Sequence, residues 1–311
     1  MLDLELARFL EEARASGAPD LCDLPPNAAR GLYRLITAAA DQAPAPVAME
    51  SRAIPGPAGT LPVRIYRPQG EAKGIALYLH GGGFALGDLE SSHSVCSRLC
   101  QSSGCIVVAV DYRLAPEAPF PAAVDDSYAA LEWTAANAVE LAGKPLALAV
   151  VGDSAGANLA AVLALLSRDR KGPAIAFQAL VYPVTAAAPG QFPSYDKFGT
   201  GYTLTRRSTE HFNQLYFGPS AVAPDFRGAP LLAASLTGLP PALVQIAGYD
   251  PLRDEGIAYA ERMMADGVDV SLVDYPGLAH GFINMTGRIR TAALAFDQLA
   301  SALRHGLESA A

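Results

Sequence analysis

The sequence predicts an α/β protein with a mostly parallel central sheet covered by helices on both faces, and three observations predict it. Short β-rich runs alternate with longer helical patterns along most of the chain, the rhythm of strand, helix, strand that builds a parallel sheet. The 311 residues are 51% hydrophobic and 17% charged, enough apolar material for one large core. A glycine-bounded turn at Gly152 to Gly156 joins an apolar run directly to a helical one.

Taken in order, the chain opens with two helical patterns, Leu4 to Ala15 and Asn27 to Ala40, closed by the Pro-containing stretch Ala43 to Val47. Strands are expected at Leu61 to Tyr66, Ile75 to Leu79, Cys105 to Val110 and Leu146 to Val151, with helices at Ser91 to Ser102 and Val124 to Asn137 between them. The Ala-rich run Ala155 to Ser167 reads as a buried helix, followed by strands at Phe177 to Val181, Ala242 to Ala247 and Val268 to Val273 and a terminal helix. Residues 1–45 and the segment 185–224 break the rhythm, and both are expected to form a helical cap over the sheet's carboxyl edge. Residues 46–184 and 225–311 then form the two parts of the main domain. Within the inserted segment, Tyr195, Phe198, Tyr202, Phe212, Tyr216 and Phe217 each suit core packing, and as a group they suggest an apolar pocket.

Several function classes fall away on composition. A net charge of −8 without a basic cluster argues against nucleic acid, whose phosphates need Lys and Arg to replace their counterions. The longest uncharged stretches, Gly172 to Tyr195 and Gly228 to Tyr249, carry prolines such as Pro183, Pro193, Pro240 and Pro241 that a spanning helix would not, so no membrane span is expected. Met1 to Ala13 mixes acidic residues among leucines and lacks the pattern of a signal peptide, which gives a cytoplasmic expectation. Cys96, Cys100 and Cys105 follow His93 closely, yet their spacing matches no paired ligand set. Buried packing, not a metal site, is therefore expected, and Cys22 stands alone.

The strongest chemical signal is Gly152-Asp153-Ser154-Ala155-Gly156. A serine on so sharp a turn between strand and helix projects its hydroxyl clear of the sheet, and the helix directs its N-terminal dipole and free amides at the same point. The second signal is His80-Gly81-Gly82-Gly83-Phe84 at the end of a strand, where consecutive glycines leave backbone amides unshielded. Gly82, Gly83 and Ala155 are expected to donate to a tetrahedral oxyanion, where one donor is worth about 2.7–4 kcal/mol. No Lys follows to make this loop a phosphate cradle, and His80, placed just before it, is expected to fix the loop's shape.

A serine nucleophile needs a base and an orienting acid, and both follow in the order serine, acid, histidine. Asp250 stands just past the run Ala242 to Ala247, and His280 follows the last strand run in Leu278-Ala279-His280-Gly281-Phe282. His93, His211 and His305 lie on expected helices, while Asp254 and Glu255 lie in the helix after Asp250 and should face elsewhere.

With these motifs assembled, the chain resembles the hormone-sensitive-lipase-like group of esterases, the bacterial family IV carboxylesterases of the α/β-hydrolase fold. The likeness rests on His80 to Phe84, Asp111-Tyr112-Arg113-Leu114-Ala115-Pro116-Glu117, Gly152 to Gly156, Asp250-Pro251-Leu252-Arg253-Asp254-Glu255 and His280-Gly281-Phe282. The resemblance implies Ser154, Asp250 and His280 as the triad, no cofactor, and Tyr112 to Glu117 as a structural loop behind the oxyanion site. One departure is Ala157, where many relatives have another glycine. The expected reaction is hydrolysis of small esters with short to medium acyl chains through an acyl-enzyme on Ser154. An amidase or peptidase would use the same triad, and a ligand-binding receptor, such as the plant gibberellin receptors that resemble this family, would carry a broken one. Relatives are commonly homodimers, which makes a homodimer the assembly to test.

Overall fold

A computed structural model describes residues 1–310. Helix α1 (Leu4–Ala15) starts where the Asp3 carboxylate accepts the amides of Glu5 and Leu6, and it buries Leu6 and Leu10 one turn apart. Helix α2 (Pro26–Ala40) carries Pro26 in its first turn, where a missing N–H costs nothing. An antiparallel hairpin follows, β1 (Ala48–Gly56) and β2 (Gly59–Arg67). The chain then alternates through β3 (Ile75–Leu79), α3 (His93–Ser103), β4 (Ile106–Val110), α4 (Ala122–Ala136), the short α5 (Ala138–Ala142), β5 (Leu148–Asp153), α6 (Ala155–Arg170) and β6 (Phe177–Val181). Two helices, α7 (Pro193–Phe198) and α8 (Arg206–Phe217), interrupt the alternation before β7 (Ala242–Tyr249), α9 (Arg253–Ala265), β8 (Val270–Ala279) and α10 (Arg290–Glu308) complete it.

The eight strands form one sheet in the order β1-β2-β4-β3-β5-β6-β7-β8. Pairing is antiparallel from β1 through β4 and parallel from β4 to β8. Side chains alternate across the strands and divide the core in two. Ile75, Leu77 and Leu79 face a layer with α4, α6 and α9, whereas Ala76 and Tyr78 face α1, α3 and α10. Helix α6 is buried from Ala155 to Ser167, which explains its almost uniformly apolar and small composition.

Three expectations from sequence need correction. Strand β1 was not anticipated, because of its nine residues only Ile54 is buried and Pro55 looks like a strand breaker; an edge strand tolerates both. Strand β5 begins and ends two residues later than expected and so includes Gly152 and Asp153. Strand β8 runs on to Ala279 through Pro276 and Gly277, with a bulge against β7 between Ala247 and Tyr249 that admits the irregular stretch. His280 is consequently the residue after the strand, with no loop between. Among the described residues, no helix is long and apolar enough to cross a membrane.

Candidate active site

Because β3, β5, β7 and β8 are parallel, their carboxyl ends lie along one edge of the sheet, and the residues just past them converge there: His80, Ser154, Asp250 and His280. The turn at Ser154 is forced by its surroundings. Ser154 has φ 54° and ψ −119°, a strained conformation held by its own amide bonding to Val181 O at 2.9 Å. Gly156 must lack a side chain, since a Cβ there would collide with the Leu79 carbonyl. The methyl of Ala157 is buried and packs in the core beside α4 and α6, so the departure at this position is accommodated.

His280 Nε2 lies 2.9 Å from Ser154 Oγ, and His280 Nδ1 lies 2.7 Å from Asp250 Oδ2. The other carboxylate oxygen of Asp250 accepts the Leu252 amide at 2.8 Å, and the side chain is fully buried. Ser154 and His280 are 8% and 9% exposed, so both are almost wholly withdrawn from solvent. Thr203, from the connection between α7 and α8, donates to the His280 carbonyl at 2.7 Å and so ties the inserted segment to the backbone of His280. This chain of contacts can take a proton from Ser154 and hold the resulting imidazolium against a carboxylate.

Beside Ser154, the amides of Gly82, Gly83 and Ala155 donate to no backbone or side-chain acceptor among the described residues. His80 is turned away from Ser154: its Nδ1 is 2.8 Å from Gly81 O, its ring stacks on Tyr112, and burial lowers its pKa, keeping it neutral. The Tyr112 hydroxyl donates to the His80 carbonyl at 2.7 Å, which places the Tyr112 to Glu117 stretch directly behind the glycine loop.

Asp254 and Glu255 fall in the first turn of α9 and turn toward the inserted segment, where Asp254 accepts the Ser194 amide and Glu255 the amides of Thr185 and Ala186. His93 pairs with the Tyr66 hydroxyl at 3.0 Å. Cys96, Cys100 and Cys105 are buried, and burial pushes the Cys100 thiol up to about 12 and Cys105 up to about 11. Among the described residues, no group of three or more His, Cys, Asp or Glu is arranged to hold a metal ion.

The aromatic residues of the inserted segment divide by role. Tyr216 stacks on Phe84 with centroids 4.0 Å apart, and the Tyr195 hydroxyl is bonded to Glu255, so both serve packing. Phe212 instead lies against Gly83 and borders a small apolar recess of about 70 Å³, together with Leu21, Leu24, Ala85, Leu86 and Leu215. His211 contributes a polar edge.

Sequence reasoning missed Arg30, which donates to Ala85 O and Ala115 O and pairs with Glu117, tying α2 to the loop after Gly83 and to the Tyr112 to Glu117 stretch. It also assigned nothing to Asn158, whose amide bonds to Val184 O and Gly228 O at 2.9 Å and gathers the two ends of the inserted segment. Neither residue carries a local motif, because each acts only through partners remote in sequence.

Comparison with known proteins identifies the family of the chain. A family model described as alpha/beta hydrolase fold matches residues 76–284. The chain is 42% identical to the carboxylic ester hydrolase LipN of Mycobacterium tuberculosis, over 97% of this chain and 82% of that protein. It is 41% identical to an ethyl acetate hydrolase of Pseudomonas putida, over 80% and 79% of the two chains. A solved hyperthermophilic esterase from Pyrobaculum calidifontis superimposes with a TM-score of 0.92 at 38% identity, over 98% of each chain.

Proposed function

Since the chain belongs to the α/β-hydrolase fold family, we propose that it is a serine carboxylesterase in which Ser154 is the nucleophile, His280 the general base and Asp250 the orienting acid. Ester hydrolysis is its reaction. The observation that carries the residue assignment is the continuous pair of short contacts from Ser154 Oγ through His280 to Asp250, 2.9 and 2.7 Å.

In this reading Ser154 Oγ attacks the ester carbonyl while His280 Nε2 takes its proton, and Asp250 holds the Nδ1–H so that Nε2 is free to accept. The carbonyl oxygen, now an oxyanion, is received by the amides of Gly82, Gly83 and Ala155, whose hydrogens are otherwise unengaged. The His280 proton passes to the departing alcohol and leaves an acyl-enzyme. Water then attacks with His280 again as base, releasing the acid and restoring Ser154.

We assign the small apolar recess beside Gly83 to the acyl group; its apolar lining favours an alkyl chain, and its size favours the short end of the short to medium range. Residues 1–45 and 185–224 act as the cap, since the short 3-10 turn Leu21–Asp23, α2 and α8 supply most of the lining of that recess. The motifs and both capping segments support placement in the hormone-sensitive-lipase-like group. The free cysteines suit a reducing compartment and hence the cytoplasm, which cell fractionation tests. By likeness to the same group we propose a homodimer, which light scattering tests.

The test of the function is hydrolysis of p-nitrophenyl esters from acetate to palmitate by the protein and its Ser154→Ala variant. Turnover of the shorter esters that disappears in the variant sustains the reading. Absent turnover, or equal turnover in both, overturns it.

A further inference from the structure

The mechanism above leaves one ionisable group beneath the nucleophile without a role. Asp153, the last residue of β5, is 3% exposed and precedes Ser154 directly. Its Oδ1 accepts two hydrogen bonds, from the Gly81 amide at 2.9 Å and the Tyr78 hydroxyl at 2.8 Å. Burial raises its pKa, and the desolvation of a carboxylate costs several kcal/mol, so a side chain there for packing alone would be better apolar.

We propose that Asp153 is the positioning residue of the oxyanion loop: by holding the Gly81 amide it turns the next two amides, Gly82 and Gly83, toward the oxygen formed on the substrate. The bond spans two strand ends, β3 and β5, and fixes the loop to the same residue pair that carries the nucleophile. The approach is close enough that a Cβ on Gly81 would strike the Asp153 carboxylate, so the first glycine of the loop is required by the aspartate. Beyond Gly81 the chain turns through φ 117° at Gly82 and 60° at Gly83, and a loop of glycines has no side chains to hold that course by packing. The Ala85 and Leu86 amides bond to Gly82 O and hold the far side of the turn, and the buried Asp153 acceptor fixes its start at Gly81. The Tyr182 hydroxyl reaches the other oxygen of Asp153 at 3.5 Å while its ring lies 4.5 Å from the His280 imidazole, so the same carboxylate borders all three parts of the site.

The proposal rests on the esterase reading, and two variants test it. Asp153→Asn keeps an oxygen acceptor for Gly81, whereas Asp153→Ala removes it. Each is assayed on p-nitrophenyl butyrate for kcat and KM, and for inhibition by an alkyl trifluoromethyl ketone, whose adduct with Ser154 places an oxyanion in the hole. Asp153→Ala is expected to lose about 100-fold in kcat and in inhibitor affinity, the size of losing one oxyanion donor, with KM changed less than about threefold. Asp153→Asn is expected to lose less than about tenfold in either. A folded Asp153→Ala that keeps kcat and inhibitor affinity overturns the proposal, as does an Asn variant that falls as far as Ala. If the Ala variant does not fold, the Asn variant decides: retention of kcat within about tenfold sustains the acceptor role, and a loss beyond about 100-fold overturns it. Failure of the esterase reading itself is distinguished because the unaltered protein would then show no turnover.

Discussion

The Tyr195 hydroxyl of α7 donates to Glu255 Oε2 at 2.9 Å, on a glutamate that is fully buried at the start of α9. The second oxygen accepts the amides of Thr185 and Ala186 at 2.7 and 3.2 Å, so one carboxyl joins the inserted segment to the helix that follows Asp250. Burial pushes this carboxyl up from 4.5 to about 7, with the two amides and Tyr195 acting in the opposite direction. Because the folded state binds the proton more tightly, the stability Glu255 contributes is full below pH 4.5 and is lost as pH rises through about 7. The loss amounts to about 3 kcal/mol. Glu255→Gln removes this titration while keeping an acceptor for the amides. Thermal unfolding from pH 5 to 8 should show the variant's Tm gaining on the parent's as pH rises, and parallel curves would refute the assignment.

Asp250→Asn tests the orienting acid. Asparagine keeps an oxygen for the Leu252 amide but presents an NH2 to His280 Nδ1, which forces the imidazole into the tautomer whose Nε2 cannot accept from Ser154. The variant should keep its Tm while kcat falls by roughly 10⁴-fold, the effect of the same change in a serine protease triad. Steady-state kinetics with little loss would assign the acid elsewhere.

Gly83→Ala tests the oxyanion loop by displacement. The residue has φ 60° and its added methyl would meet the Phe212 ring at 2.6 Å, so the loop or α8 must shift. A fall in kcat of about 10²-fold is expected, with KM less affected. Unchanged kcat would show that the Gly83 amide is not aimed at the reacting carbonyl.

Leu215→Ala tests the acyl recess. Leu215 is only partly buried on α8, so its truncation widens the recess without emptying the core. The chain-length optimum should move to longer esters, with each newly accommodated methylene worth about 0.8 kcal/mol, roughly fourfold in kcat/KM. An unshifted profile across the p-nitrophenyl series would place the acyl chain elsewhere.

Much of the fold is legible in the sequence because buried parallel strands are recognised by their apolar runs alone. Ile75–Leu79 and Phe177–Val181 match their expected bounds, since every residue in them is buried. Strand β1 escapes because an exposed edge carries no apolar signal, and the end of β8 escapes because Pro276 and Gly277 signal a break that the bulge absorbs. Ser154 and the glycine loop stand out as local motifs, whereas Arg30, Asn158 and Asp153 act through partners 26 or more positions away.

What the sequence determines by itself is the order of the buried strands and their helices, the turn that carries Ser154 and the positions from which an acid and a base could reach it. Local chemistry is enough for these: glycine permits the turns, and apolar runs of strand length specify burial. Only the tertiary structure decides that Ser154 and His280, 126 positions apart, come within 2.9 Å, and that Glu255 turns to Tyr195 while Asp250 turns to His280. These outcomes depend on the sheet order, which sets β5, β7 and β8 close together, and on where each buried carboxylate finds its hydrogen-bond donors.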